Sequence, residues 1–247
     1  MLKGHPKGLI AASLSNMGER FGFYTMMAIL VLFLDAKFNL GGWTSVIYSV
    51  FYASIYIRAL VGGIIADKTR NYKRTIMIGI IIMAVGYLLI AIPTPTVQSG
   101  YGFYLFLAIL GLFVIAFGNG LFKGNLQALV GQMYDNPEYS KMRDSGFSLF
   151  YMFINVGAIF APVAALGVRN WWLTKHGFAY NSDLPAVCHS YLNGTITPEG
   201  TTRLTDLMKT ADLNGAYANN VSDFVTDYLA TFTTGFHYAF AVAILSM

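Results

Sequence analysis

Apolar runs of bilayer-spanning length recur along the chain, and no other feature limits its fold as strongly. A helix needs about 20 mostly apolar residues to cross the hydrocarbon core of a membrane. Only 11% of the 247 residues are charged, against about 25% in soluble domains. The sequence therefore predicts an all-α membrane protein with spans at about 8–34, 44–66, 75–93, 101–134 and 145–168, and the start of a sixth at 232–247.

Basic residues are concentrated on one side of these spans. Lys3 and Lys7 precede the first span, and the loops DKTRNYKR and DNPEYSKMRD precede the third and the fifth. Cytoplasmic loops carry such an excess of lysine and arginine. We therefore expect the N-terminus to lie in the cytoplasm. The net charge of +4 is then a topological signal, with the lipid bilayer and not nucleic acid as the partner.

The composition changes after the fifth span. Residues 1–168 hold the first five helices, whereas residues 169–231 are polar and contain no spanning run. With five spans before it, this segment is expected outside the cytoplasm, as an insertion between helices 5 and 6. The apolar run in 232–247 is too short to cross a bilayer. It predicts a truncated sixth helix and a chain that is part of a larger transporter-like protein.

Two ionisable residues, Glu19 and Arg20, lie inside the first span in the stretch SNMGERFGFY. Asn16, Tyr24 and Met27 share their helix face at helical spacing. A charge at this depth is costly and usually marks a pathway through the protein. That face is therefore expected to line the bundle interior or a water-filled cavity. The alternative is a structural pair in which the two charges neutralise each other.

Three further polar residues lie within predicted spans. Arg58 follows Tyr56 by two positions, so the two side chains are on nearly opposite helix faces. Arg58 has three open roles: pairing with Glu19, binding a ligand, or packing against backbone carbonyls. Lys123 lies in the glycine-rich stretch GNGLFKGN and predicts a polar site between helices, or a lysine at the membrane interface. Asn155, in the middle of the fifth span, has the default role of a hydrogen bond between helices.

The sequence contains no pattern that predicts an enzyme. The motif G-x-S-x-G and a phosphate-binding loop are absent, and the four histidines lack the spacing of metal ligands. We expect no catalytic residue, no metal and no cofactor.

Four stretches resemble, in order, motifs of the proton-coupled oligopeptide transporter family, a branch of the major facilitator superfamily. They are NMGERFGFY, GGIIADKTRNYKRTI, GNGLFKGN and DSGFSLFYMFINVGAIFAP, and they fall within residues 1–168. The resemblance implies the N-terminal six-helix half of a transporter that binds substrate between two halves and alternates access by rocking. The implied activity is symport of di- and tripeptides across the bacterial cytoplasmic membrane. Its implied partners are small peptides, protons as the coupling ion, and the C-terminal half.

The resemblance also assigns roles to individual residues. Glu19 and Arg20 match the second acid and the arginine of the family motif E-x-x-E-R-F, which is linked to proton coupling. Lys123 matches a fourth-span lysine that communicates with this motif. The positions that match peptide-contacting residues of the family are Tyr24, Tyr56 and Asn155.

Two departures from the family pattern alter what the resemblance implies. Asn16 replaces the first acid of the motif and cannot titrate, and Met27 replaces a cavity arginine. We hypothesise that Lys123, with Arg58, binds the peptide carboxylate in place of that arginine. Two alternatives stay open: a transporter of another small solute with altered proton coupling, and a membrane receptor or scaffold with a vestigial transport site.

Overall fold

A computed structural model of the chain describes residues 4–95, 101–218 and 220–247. Lys3, one of the basic residues expected before the first span, lies outside these residues. Within them the backbone forms a 3-10 turn at Ser140–Met142 and eight α-helices. The helices are α1 (Gly8–Phe38), α2 (Gly42–Thr69), α3 (Tyr72–Ala91), α4 (Tyr101–Met133), α5 (Arg143–Lys175), α6 (Leu184–Leu192), α7 (Pro198–Ala211) and α8 (Val221–Leu245).

Six of the described helices, α1 to α5 and α8, are long and apolar enough to cross a membrane. This confirms the predicted all-α architecture with six spans. Helix α1 runs through the middle of the bundle, where it packs against α5, α8, α4 and α2. Helix α4 packs against α3 on one side and α2 on the other. Polar side chains on α1 and α4 therefore meet inside the bundle.

The sixth span differs from the sequence prediction. Helix α8 begins at Val221 and not near 232, and its 25 residues span about 37 Å, which is enough to cross a bilayer. The sequence pattern obscured its first turns because Asp223 and Asp227 lie there among polar neighbours. These carboxylates lie on the exposed face, while Phe224 and Tyr228 are fully buried on the other.

The predicted insertion at 169–231 is correspondingly shorter. Helix α5 continues to Lys175, so the segment between the spanning helices covers residues 176–220. Helix α7 lies within the stretch PEGTTRLTDLMKTADLNG, whose pattern is that of a short amphipathic helix, and it buries Leu204 and Met208. On α6, His189 Nε2 donates a hydrogen bond of 2.7 Å to the carbonyl oxygen of Ala36 on α1. This bond attaches the inserted helices to the end of the bundle.

Glycines allow the helices on both sides of α4 to approach it closely. A Cβ added to Gly79 of α3 would lie 2.8 Å from the carbonyl oxygen of Gly118. A Cβ on Gly62 of α2 would collide with the carbonyl oxygen of Gly120. Small residues permit such backbone contact between helices in membranes. These contacts orient α4 between its two neighbours.

Two basic side chains are buried where α1 and α8 meet the end of α3. Lys37 Nζ donates to the carbonyl oxygen of Thr94 at 2.8 Å and contacts His237 Nε2 at 2.9 Å. His237 Nδ1 lies 2.7 Å from the carbonyl oxygen of Ile90. Because a carbonyl can only accept, the proton of the neutral ring is on Nδ1, and Nε2 accepts from the lysine. The buried amino group of Lys37 thus bonds a carbonyl and an imidazole, and no carboxylate among the described residues pairs with it.

The glycine contacts predict opposite effects at two adjacent positions of α2. Gly62→Ala forces a methyl group against the backbone of α4, so we expect a destabilisation of about 1–3 kcal/mol. Gly63→Ala is the matched control, since a Cβ there meets no atom within 4 Å and alanine favours the helix. The measurement is thermal unfolding of both variants in the same detergent. Equal melting temperatures for the two would contradict the close contact.

The burial of His189 predicts that the attachment of α6 depends on pH. Burial lowers the pKa of His189 below its ordinary 6.5, and the bond to Ala36 only partly opposes this. The ring therefore binds a proton more readily when it is exposed in the unfolded chain than when it is buried. Packing of the neutral ring stabilises the attachment of α6 above about pH 6.5, and this stabilisation is lost as the pH falls toward the lowered pKa. Amide hydrogen exchange in α6, corrected for the intrinsic rate, should be faster at about pH 5 than at about pH 8.

Two substitutions control for this effect. His189→Gln keeps a donor but does not titrate, so its α6 exchange should not change with pH. His176→Gln, at an exposed position, should behave as the unsubstituted protein. A pH dependence that survives in His189→Gln would show that another group causes it.

Candidate functional site

A cavity of about 270 Å³ lies between α1, α2 and α4. Its walls combine two cations with a set of aromatic side chains. They are lined by Arg20, Phe23, Tyr24, Met27, Tyr48, Tyr52, Ile55, Tyr56 and Lys123. Four of the residues selected from the sequence are therefore brought together: Arg20, Tyr24, Tyr56 and Lys123.

Behind this wall, Glu19 and Arg20 form a two-point ion pair. Arg20 Nε donates to Glu19 Oε2 at 2.5 Å, and Nη2 donates to Oε1 at 2.7 Å. Only 1% of Glu19 and 6% of Arg20 is exposed. Paired hydrogen bonds of this kind are among the strongest between side chains. The guanidinium also lies 4.9 Å from the ring centre of Phe23, over a wall of the cavity.

Helix α4 contributes to both sides of this wall. Asn119 Nδ2 donates to Glu19 Oε1 at 2.5 Å, and its side chain is fully buried. One turn later, Lys123 lines the cavity with its Nζ 4.8 Å from the ring centre of Tyr56. Since residues four apart lie on one helix face, the spacing of Asn119 and Lys123 places an amide on the buried carboxylate and a cation at the cavity.

The tyrosines of α2 form a continuous row along the cavity. The rings of Tyr48 and Tyr52 are stacked with centres 6.4 Å apart. The hydroxyls of Tyr52 and Tyr56 are 3.1 Å apart. The site residues chosen from the sequence included Tyr56 but not the other two. The available signal was their spacing, since Tyr48, Tyr52 and Tyr56 are successive at i, i+4 and i+8 and therefore share a face.

Arg58 is not part of this cavity, and its predicted roles in pairing with Glu19 or binding a ligand there are corrected. Its Nη1 donates to Ser54 Oγ at 2.8 Å, and its guanidinium lies 4.0 Å from the ring centre of Phe113. Both neighbours line a separate apolar groove of about 250 Å³ between α2 and α4. Two positions along a helix place Arg58 and Tyr56 on different faces, so one points into the groove and the other into the cavity.

Asn155 also lies away from the cavity. Its side chain is exposed on α5, while Gly157, two positions later, forms the close contact with Met17 of α1. The interhelical hydrogen bond expected of Asn155 is not formed with the described residues.

The two positions that depart from the family pattern have different surroundings. Asn16 is buried, and its Nδ2 has no hydrogen-bond partner among the described residues. Met27 lines the cavity directly. Within residues 4–95, 101–218 and 220–247, no three His, Cys, Asp or Glu side chains are grouped so that they could hold a metal ion.

Comparison with known proteins identifies relatives for most of the chain. Residues 73–189 match the model of the POT family. The peptide transporter YePEPT of Yersinia enterocolitica is 38% identical over 181 residues, which are 71% of this chain and 33% of that protein. The dipeptide and tripeptide permease A of Escherichia coli is 31% identical over 175 residues, or 70% of this chain and 32% of the permease.

Solved structures show the same fold. A tetrameric PepTSo2 structure is 26% identical with a TM-score of 0.58, and the match covers 97% of this chain and 37% of that one. The peptide transporter POT in complex with sulfate is 27% identical with a TM-score of 0.58, covering 85% of this chain and 45% of that one. The chain spans about a third of the length of the curated relatives it matches. Its fold is that of a six-helix half of a transporter, and the chain belongs to the POT family of membrane transporters.

Proposed function

We propose that the chain forms the N-terminal half of a proton-coupled symporter of di- and tripeptides in the bacterial cytoplasmic membrane, with its N-terminus inside. The observation that carries this proposal is the buried Glu19–Arg20 pair behind a cavity that also contains Lys123. The substrate class is supported by relatives that are named peptide transporters.

The ion pair provides a physical route from a proton to the substrate. While Glu19 is ionised, its oxygens hold the Arg20 guanidinium. Protonation removes the negative charge and leaves a buried cation without a counterion, which costs about 3–5 kcal/mol when one partner of such a pair is lost. Arg20 already borders the cavity, so the carboxylate of a bound peptide can replace Glu19 as its partner.

This exchange of partners couples the two ligands. A peptide carboxylate on Arg20 favours the protonated form of Glu19, and a proton on Glu19 favours peptide binding. Such coupling is reciprocal, because each ligand changes the affinity of the other by the same factor. An inward proton gradient would thereby drive peptide uptake as the two halves alternate access.

The remaining parts of a peptide find partners of different kinds. Lys123 offers a second cation for the carboxylate, in place of the arginine that Met27 replaces. Tyr24 and the α2 tyrosines offer hydroxyls and ring surfaces. A free amine needs an acidic partner in a cavity where an unpaired charge is costly, and Glu19 is held by Arg20. We assign that acid to the C-terminal half, while Asn155, exposed on α5, is free to contact a peptide between the halves.

One observation favours a second candidate function. The charged residues that line the described cavity are Arg20 and Lys123, both cations. This lining also suits a small anionic solute that lacks an amine. Competition of peptides and of organic anions against labelled dipeptide uptake separates the two candidates. An absence of uptake of any solute would instead favour a receptor or scaffold with a vestigial site.

Glu19→Gln should separate proton coupling from peptide binding. Glutamine resembles the protonated acid in shape and charge but cannot exchange a proton, so gradient-driven accumulation of a labelled dipeptide should fall about tenfold or more. Counterflow in proteoliposomes without a pH gradient should persist, because exchange needs no net proton movement. Accumulation at the unsubstituted level would refute a coupling role for Glu19.

Lys123→Ala and Arg58→Ala form a matched pair of cation removals. If Lys123 binds the peptide carboxylate, its loss removes a charge-assisted bond and should weaken dipeptide binding about tenfold or more. Arg58 lies in the separate groove, so its removal should leave affinity within about twofold. Calorimetric titration of the purified variants measures both effects. Equal losses in the two variants would contradict the division between cavity and groove.

A further inference from the structure

Asn119 has an amide that is only half satisfied. Its Nδ2 donates to Glu19 Oε1 at 2.5 Å, while its Oδ1 has no hydrogen-bond partner among the described residues. The side chain is fully buried on α4, so bulk water does not supply the missing bond. A buried polar atom without a partner is uncommon and calls for an explanation.

The chemistry of the neighbouring carboxyl group provides one. An ionised carboxylate can only accept hydrogen bonds, whereas a protonated carboxyl group also has an O–H to donate. An asparagine amide carries both a donor and an acceptor. A rotation of the amide by ~180° about χ2, called a half-turn below, exchanges their positions. The unpaired Oδ1 is therefore the acceptor that Glu19 lacks when it carries a proton.

We propose that Asn119 is a positioning residue that bonds both protonation states of Glu19. It donates through Nδ2 to the ionised carboxylate, and after the half-turn it accepts through Oδ1 from the protonated acid. The coupling role of this exchange rests on the proposed function, whereas the exchange itself concerns only the two side chains.

The count of hydrogen bonds supports this exchange. In the present orientation Nδ2 bonds Glu19 and also lies 3.9 Å from Met83 Sδ, while Oδ1 is unpaired within the described part of the chain. After the half-turn Oδ1 bonds Glu19 and Nδ2 takes the unpaired position. The half-turn thus keeps one hydrogen bond to Glu19 and reverses its direction, at the loss of the weak contact with Met83. When Arg20 leaves for a substrate carboxylate, the acid it leaves behind remains hydrogen-bonded, and a buried O–H without an acceptor is avoided.

Among the described residues, no other group that is hydrogen-bonded to Glu19 can accept a hydrogen bond. Arg20 on α1 and Lys123 on α4 are cations and accept no hydrogen bond. The buried hydroxyl of Tyr87 on α3 interacts with Glu19 electrostatically but forms no hydrogen bond with it among the described residues. Tyr52 of α2 faces the two cations. Glu19 is the carboxylic acid in this group of residues, and Asn119 is the side chain with an acceptor oxygen that already contacts it.

Infrared difference spectroscopy of the full-length protein between high and low pH tests the acceptor directly. The carbonyl band of protonated Glu19 is assigned by its absence in Glu19→Gln. In Asn119→Val, which removes both donor and acceptor, we expect this band to shift to higher frequency, because a carboxyl group that has lost its hydrogen bonds vibrates at higher frequency. Asn119→Thr has nearly the same shape but carries a hydroxyl, and should keep the band near its original position.

A control on the same helix separates this role from packing. Asn125 is a buried amide of α4 that donates to the carbonyl oxygens of Gly62 and Leu121. Asn125→Val should leave the Glu19 band unchanged. An identical band in Asn119→Val, Asn119→Thr and the unsubstituted protein would overturn the proposal, because an amide that bonds only the ionised form would not affect the protonated one.

Uptake measurements on the same variants connect the bond to coupling. Gradient-driven dipeptide uptake should fall about tenfold in Asn119→Val and recover to within about threefold in Asn119→Thr. If the band shifts but the unsubstituted protein takes up no peptide, the proposed function fails and the amide exchange stands. If uptake is normal and the band does not shift, the amide exchange fails and the proposed function stands.

Discussion

The buried pair of Glu19 and Arg20 is the interaction on which the rest of the site depends. Neither charge could remain so far from water alone, because an isolated ion in an apolar interior is highly unfavourable. Each residue satisfies the other, yet Arg20 also borders the cavity. The pair is therefore satisfied while Glu19 is ionised, and the proposed coupling depends on the loss of this pairing when Glu19 is protonated.

The glycine contacts of α4 make this arrangement possible. Close approach of Gly79 to Gly118, and of Gly62 to Gly120, positions α4 between α2 and α3. In that position it directs Asn119 toward the buried carboxylate and Lys123 toward the cavity. Packing between helices and the chemistry of the site are thus linked, because a shift of α4 would separate the amide from Glu19.

Much of the fold and part of the candidate site could be predicted from the sequence, and the predictions that were wrong have physical causes. Apolar run length predicted six spans, and cost of burial singled out Glu19 and Arg20. Average polarity failed at the start of α8, where Asp223 and Asp227 lie opposite a buried aromatic face. Arg58 was a plausible ligand by charge alone. Its helix face excludes it from the cavity, and only the packing of α2 on α4 showed which face that is.

The sequence by itself determined that the chain crosses a membrane as helices, because backbone groups in lipid must be hydrogen-bonded internally and the apolar runs have the necessary length. It also determined that Glu19 and Arg20 face the protein interior, since lipid does not accept paired ions. The tertiary structure decided which residues meet them. The contact between Asn119 and Glu19 joins side chains 100 positions apart, and such a contact depends on how α1 and α4 pack, which no local spacing encodes.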